Sequence, residues 1–233
     1  MPASPTDSAD AGPVARLLDD PRVSVAEMDP RQASPGIGLY AEEVAAVDKA
    51  VLSRRQQFTA GRTLARQAWQ RLGLTPAPLL SDAQRVPVWP RGIVGTITHT
   101  HTWCAAAVAR QGEVAALGAD VELATALELN LWDRICRPEE RAFLQALREP
   151  LSGLLAKAIF SAKESIYKAL YPNVRVFLDF QGMHIALERG ESEGLWTWQA
   201  TLQTPWGSYA PGQRFAPGKL SIGSELIASA VVW

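Results

Sequence analysis

Val114-Ala-Ala-Leu-Gly-Ala-Asp-Val-Glu-Leu123 is the stretch on which the fold turns. Its apolar run reads as a strand, and it ends in two carboxylates, Asp120 and Glu122. Their i, i+2 spacing points both side chains to one face of an extended chain. Before it lie two helical segments, 40–50 and 53–72, then two short strands, 93–98 and 103–109, with Gly112 marking the turn into 114–123. In the second helix Ser53 and Gln56 have capping-box spacing and Gly73 supplies a stop. Segment 74–92, with Pro76, Pro78, Pro87 and Pro90, reads as loop. After the stretch come helical segments 126–136, 138–148 and 153–171, the last ended by Pro172. Strands follow at 182–188, 195–203, 219–223 and 225–233. Each half thus runs helices first and strands second. That order is not the βαβ alternation of a doubly wound fold, and it predicts the α+β class.

Composition narrows the function classes. The chain has 233 residues, 47% hydrophobic and 20% charged, with 23 basic against 24 acidic side chains. Such values exclude a disordered chain and give no basic excess of the kind a nucleic-acid binder carries. The length admits one large domain or two of roughly 115 residues. Cys104 and Cys136 form no CxxC and read as small buried hydrophobes. Residues 1–13, rich in Pro, Ala, Ser and Asp, read as a loose tail without signal-peptide character. No apolar run approaches the roughly 18 residues of a membrane helix, so a cytoplasmic protein is expected.

Four constellations could carry chemistry. Two like charges on one strand face repel, so Asp120 and Glu122 call for a cation between them, and Mg²⁺ takes carboxylate oxygens readily. Taken alone, the pair is accounted for better by a solvated strand end. Phe160-Ser-Ala-Lys-Glu-Ser-Ile-Tyr-Lys168 falls on a helix whose positions Leu155, Ile159, Ala162, Ile166 and Ala169 form an apolar stripe. Lys157, Ser161, Glu164 and Lys168 lie roughly opposite, as phosphate-binding and acidic groups or as an exposed helix face. In Thr98-His99-Thr100-His101, His99 could donate to a phosphate or be a satisfied loop histidine, and nothing assigns His101 a role. Arg54, Arg55, Arg62, Arg66 and Arg71 could hold phosphates with their forked guanidinium groups or simply be solvated. Gly212 and Gly218-Lys219 miss the P-loop pattern, because five residues intervene and Leu220 replaces Ser/Thr. No GxGxxG or GxSxG occurs.

Taken in order, Arg54, Gly61-Arg62, Pro87-Val-Trp-Pro90, Thr98-His99, Gly118-x-Asp-Val-Glu122 and Phe160-Ser-Ala-Lys-Glu-x-x-Tyr-Lys168 resemble the 4′-phosphopantetheinyl transferase superfamily. The likeness spans about residues 50–170 and is greatest to the siderophore (enterobactin-type) and polyketide branch. It implies transfer of the phosphopantetheine arm of coenzyme A to a serine of an apo acyl or peptidyl carrier protein, with release of 3′,5′-ADP. It implies Asp120, Glu122 and Glu164 as Mg²⁺ ligands, Glu164 and Lys168 as catalytic groups, and Lys168 at the pyrophosphate with Lys163 nearby. Thr98, His99, Arg54 and Arg62 would hold phosphates. Arg85 would lie by the adenine and 3′-phosphate, and Ser81 stands where some relatives place a phosphate-binding lysine. Ala119 and Thr100 depart mildly from the family pattern. The implied fold is a pseudo-dimer of two similar α+β subdomains, 14–115 and 116–233, with coenzyme A between them, so that a monomer suffices. A hydrolase of coenzyme A-type diphosphates and a non-catalytic coenzyme A-binding module are the alternatives.

Overall fold

The computed structural model of the chain describes residues 11–233. The tail expected at 1–13 falls on residues 1–10, outside the described residues, while Pro13 already opens a helix. The elements run α1 (Pro13–Leu17), β1 (Val23–Met28), α2 (Ala41–Ala45), α3 (Leu52–Arg71), β2 (Ile93–His99), β3 (Cys104–Arg110), β4 (Leu117–Leu123), α4 (Leu129–Ile135), α5 (Pro138–Gln145), α6 (Leu151–Val174), β5 (Met183–Arg189), β6 (Leu195–Leu202), β7 (Gly218–Ile222) and β8 (Leu226–Val232). They form two antiparallel sheets, ordered β1-β3-β2 and β4-β8-β7-β6-β5.

The two halves share a topology. In each, the first strand pairs with the last of that half, β1 with β3 and β4 with β8, and a long helix follows the first strand. β2 flanks β3 as β7 flanks β8, and the second half adds the β5–β6 hairpin. The small residues of β3 explain how it serves two cores at once, by strict alternation. Cys104, Ala106 and Val108 pack with Leu64, Ala68 and Trp69 of α3. Ala105, Ala107 and Ala109 face the other way, into a core shared with Val14 and Leu17 of α1, Ala119 and Val121 of β4, and Ala228 and Ala230 of β8. This middle core belongs to both sheets. Leu155, Ile159 and Ile166 of α6 fill the third core with Trp198, Leu202 and Leu220.

Where the edge strands of the sheets meet, β2 and β4, threonine side chains replace the missing ladder. Thr96 Oγ1 accepts from the Ala119 N–H at 3.3 Å, and Thr98 Oγ1 accepts from the Val121 N–H at 3.0 Å. The backbone N–H of Ala115 and the carbonyl of Trp233 also bond, at 2.7 Å, which ties the end of the chain to its middle.

Three local expectations are corrected. Segment 40–50 is helical only at 41–45, and within it Glu43 turns inward to bond the N–H groups of Tyr40 and Leu79 and the guanidinium of Arg66. α3 begins at Leu52 after Val51, with no side-chain cap, so the Ser53 capping box does not form. Pro172 does not end α6, which runs on to Val174 and is capped by Arg175 at φ 56°. α1 and β1 were not anticipated from the sequence.

Candidate active site

The close approach of α6 to β4 builds the acidic part of the site. The face of β4 opposite the middle core carries Gly118, Asp120 and Glu122. A Cβ at Gly118 would overlap the Ser165 carbonyl oxygen of α6, so only glycine lets helix and strand come this near. One turn apart on α6, Glu164 and Lys168 then meet the strand. Lys168 Nζ donates to Asp120 Oδ1 at 2.6 Å, and Lys157 Nζ lies 3.7 Å from Glu122 Oε2.

The electrostatics show a crowded acidic cluster. Burial and then the charge of Asp120 raise the Glu122 carboxyl. Burial raises Glu164 as well, against the pull of Lys168. Burial also acts against the Lys168 ammonium, but the carboxylates of Asp120, Glu164 and Glu122 outweigh it and hold it above its ordinary value. Asp120 Oδ2 is buried without a hydrogen-bond partner among the described residues. An anionic oxygen left bare in this way fits a hard cation, and three carboxylates are the donor set Mg²⁺ accepts. Among the described residues no three carboxylate, histidine or cysteine side chains converge at metal-binding spacing; the Lys168 ammonium sits on Asp120 instead.

Beside this cluster opens a cleft of about 580 Å³, and Lys168 belongs to both. Arg54, Arg62, Arg85 and His99 line it, with apolar walls from Phe58, Trp89 and Ile97. Arg62 is 5% exposed, lies 4.3 Å from the Phe58 ring centre, and donates to Ser81 Oγ at 2.9 Å. Burial draws it down to about 10, so it stays charged at neutral pH. Arg54 Nη1 lies 3.0 Å from His99 Nε2. A guanidinium only donates, so Nε2 accepts and the ring proton sits on Nδ1. Burial, with Arg54 and Lys168 nearby, pushes His99 down to about 4, in agreement with a neutral ring. Arg85 stands at φ 65° in a turn where Asp82 Oδ1 accepts from the N–H groups of Gln84 and Val86. Left-handed backbone at an arginine costs on the order of 1 kcal/mol, and here it occurs at the wall of the cleft.

Two residues expected to touch coenzyme A are placed elsewhere. Thr98 is 3% exposed, and its hydroxyl lies between Asp120 Oδ1 at 3.2 Å and the Val121 N–H. Lys163 buries its ammonium against Glu140 Oε2 at 2.8 Å, the Ile135 carbonyl at 2.7 Å and the Phe180 carbonyl at 3.0 Å, which uses all three of its protons. One face of the stripe holding Glu164 and Lys168 is also less open than periodicity suggests, since Ser161 is buried against Ser229 at 2.9 Å. Of the helix arginines, Arg66 bonds Glu43 at 2.9 Å and Arg71 bonds the Val25 carbonyl, so both serve the fold. A second cavity, about 110 Å³, lies across Tyr167 from the first, with Glu164, Phe177, Phe180 and Trp206 on its walls. Tyr167 borders both cavities and stacks on Tyr171 and Trp206, at 4.9 and 5.8 Å between ring centres. Sequence reasoning missed Trp89 and Phe58 as cleft walls; the Pro-flanked Trp89 was the available signal.

Comparison with known proteins assigns the chain to a family. A family model described as the 4′-phosphopantetheinyl transferase N-terminal domain matches residues 42–109, and one for the 4′-phosphopantetheinyl transferase superfamily matches residues 116–212. The chain belongs to the 4′-phosphopantetheinyl transferase superfamily. The 4′-phosphopantetheinyl transferase Svp of Streptomyces mobaraensis is 36% identical over 196 residues, 83% of this chain and 78% of the relative. PptT of Mycobacterium tuberculosis is 36% identical over 163 residues, 70% of each chain. Enterobactin synthase component D of Escherichia coli K12 is 34% identical over 160 residues, 66% of this chain and 74% of the relative. In this superfamily member the two matched regions meet where β2 faces β4, beside the acidic cluster. No helix among the described residues is long and apolar enough to cross a membrane.

Proposed function

We propose that the chain transfers the 4′-phosphopantetheine arm of coenzyme A to a serine hydroxyl of an apo acyl or peptidyl carrier protein, with Mg²⁺, releasing 3′,5′-ADP. The observation that carries this reading is the junction at Lys168, where a cleft lined by cations meets a buried carboxylate cluster containing an oxygen unpartnered among the described residues. Arg54, Arg62 and Arg85 suit the phosphates of the nucleotide half, and His99 can donate from Nδ1–H. The second cavity, with its aromatic walls, suits the uncharged arm. Asp120, Glu122 and Glu164 would hold Mg²⁺, which when bound would neutralise charge on the pyrophosphate.

The reaction forms a bond between the serine oxygen and the phosphorus that carries pantetheine. It breaks the bond from that phosphorus to the oxygen of the adenosine-side phosphate, and the electron pair leaves with 3′,5′-ADP. Such transfer depends on positioning and charge stabilisation more than on covalent catalysis. Glu164, whose carboxyl is raised by burial, would take the serine proton. Lys168 offsets the charge that develops on the leaving phosphate. Both parts of the site lie within one chain, which supports action as a monomer of subdomains 14–115 and 116–233. The buried free thiols Cys104 and Cys136 and the balanced charge suit a cytoplasmic enzyme acting on a carrier rather than on nucleic acid or a membrane.

Incubation with coenzyme A, Mg²⁺ and apo carrier proteins of several types tests the proposal. The expected result is a mass gain of one phosphopantetheine arm on the carrier serine. Release of 3′,5′-ADP without carrier, or coenzyme A binding without turnover, would contradict it.

A further inference from the structure

Asp120 has two unlike oxygens. Oδ1 accepts twice, from Lys168 Nζ at 2.6 Å and from Thr98 Oγ1 at 3.2 Å. Oδ2 is buried and has no partner among the described residues. The Thr98 hydroxyl joins the Lys168 ammonium on Oδ1, and Oδ2 is the oxygen left bare. A hydroxyl carries one proton and two lone pairs. The Val121 N–H, at 3.0 Å, can only donate, so it occupies a lone pair. The single proton of Thr98 is therefore directed to Asp120 Oδ1. The backbone of Thr98 is fixed by its pairing with Ala105 in β3, and a β-branched side chain is stiff at χ1. A rigid hydroxyl on the edge strand of one half thus grips a carboxylate on the edge strand of the other.

We propose that Thr98 is a positioning residue. It holds the Asp120 carboxylate so that Oδ2 is presented to the cation, and it does not itself touch the phosphates of coenzyme A. This rests on the magnesium reading of the site. Carboxylate ligands are ordinarily held by such hydrogen bonds, and losing the outer partner typically weakens metal binding 10–100-fold. Thr96 provides a control from the same seam. Among the described residues its hydroxyl hydrogen-bonds only the backbone of Ala119, at 3.3 Å to the N–H and 3.4 Å to the carbonyl, and not Asp120.

The test measures Mn²⁺ affinity of the full chain by the resonance signal of free Mn²⁺, coenzyme A affinity in metal-free buffer by calorimetry, and melting temperature. Thr98→Val is expected to weaken Mn²⁺ binding roughly 10–100-fold while metal-free coenzyme A binding is kept. Thr98→Ser should restore the Mn²⁺ affinity. Thr96→Val should lower the melting temperature by a similar amount yet leave the Mn²⁺ affinity at the wild-type value. Thr98→Ala supplies the same comparison if valine disturbs the seam. Equal losses of Mn²⁺ affinity in Thr98→Val and Thr96→Val would reduce Thr98 to a seam residue and overturn the inference. Weaker metal-free coenzyme A binding with Mn²⁺ affinity intact would make it a phosphate contact instead. Wild-type protein that modifies a carrier but binds no Mn²⁺ overturns the inference and leaves transfer standing. The expected Thr98 pattern in a protein that modifies no carrier sustains the inference and defeats the transferase reading.

Discussion

α3 and α6 hold the same place in their halves of the chain, each packed across the first and last strand of its sheet, yet they carry opposite chemistry. α3 contributes arginines: Arg54 and Arg62 to the cleft, Arg66 and Arg71 to the fold. α6 contributes Glu164 and Lys168, pressed against Asp120 and Glu122. The difference follows from what each helix meets on its sheet. Opposite α3, β3 offers Cys104, Ala106 and Val108, an apolar bed. Opposite α6, β4 offers a glycine and two carboxylates. One topology used twice thus yields a face suited to holding anionic phosphates and a face suited to gathering cations. Lys168 lies where the two faces meet.

If the halves divide binding from chemistry, changes on each should read differently. The largest effect is expected from Glu164→Gln, a fall in turnover of about 10²–10⁴-fold with coenzyme A still bound, measured by carrier mass at saturating substrate. A drop in coenzyme A affinity of the same size would break the division. Arg66→Met should act on the fold alone. It strands the buried Glu43 carboxylate, and chemical denaturation should show a loss of about 3 kcal/mol or more. Arg62→Met removes a charged, buried donor from the cleft, so KM for coenzyme A should rise about 10–100-fold with kcat little changed. A pure kcat defect would assign Arg62 to the chemistry of the other half. Gly118→Ala forces α6 from β4 and should cost about 1–3 kcal/mol, with Mg²⁺-dependent turnover falling further than stability alone explains.

The smallest effect concerns pH. Glu122 is raised in the folded protein above its ordinary 4.5, so the folded state holds its proton more tightly than the unfolded state does. The metal-free protein therefore loses stability as pH rises from about 4.5 through the raised value. Glu122→Gln should raise the melting temperature slightly at neutral pH without metal, and the gain should vanish below about 4.5. A gain that grew on acidification would show that the carboxylate stabilises the metal-free fold.

Much of this was legible in the chain, for identifiable reasons. The strands at 93–98, 103–109 and 219–223 were found within a residue or two, because their apolar runs are bounded by Gly and Pro. The apolar stripe Leu155, Ile159, Ala162, Ile166 and Ala169 is buried as its spacing demands. The family resemblance also names Arg54, Arg62, Arg85, His99 and Lys168, and all five line one cleft. What periodicity could not supply was direction. Lys163 and Lys168 are both lysines of one helix, but their faces differ by five residues of rotation, and the first meets Glu140 while the second meets Asp120. Thr98 sits beside His99, yet strand alternation sends it to the seam and the histidine to the cleft. β1 escaped because its short alternating run, Val-Ser-Val-Ala, lies in a Pro- and Asp-rich region.

The division between halves meets its most direct test in carrier modification at coenzyme A concentrations far above KM, followed by intact mass. Arg62→Met is predicted to reach full addition of the arm at near wild-type rate, while Asp120→Asn adds none under the same conditions. If saturating coenzyme A failed to rescue Arg62→Met, or if Asp120→Asn modified the carrier at an ordinary rate, recognition and chemistry would not be divided between the halves as described.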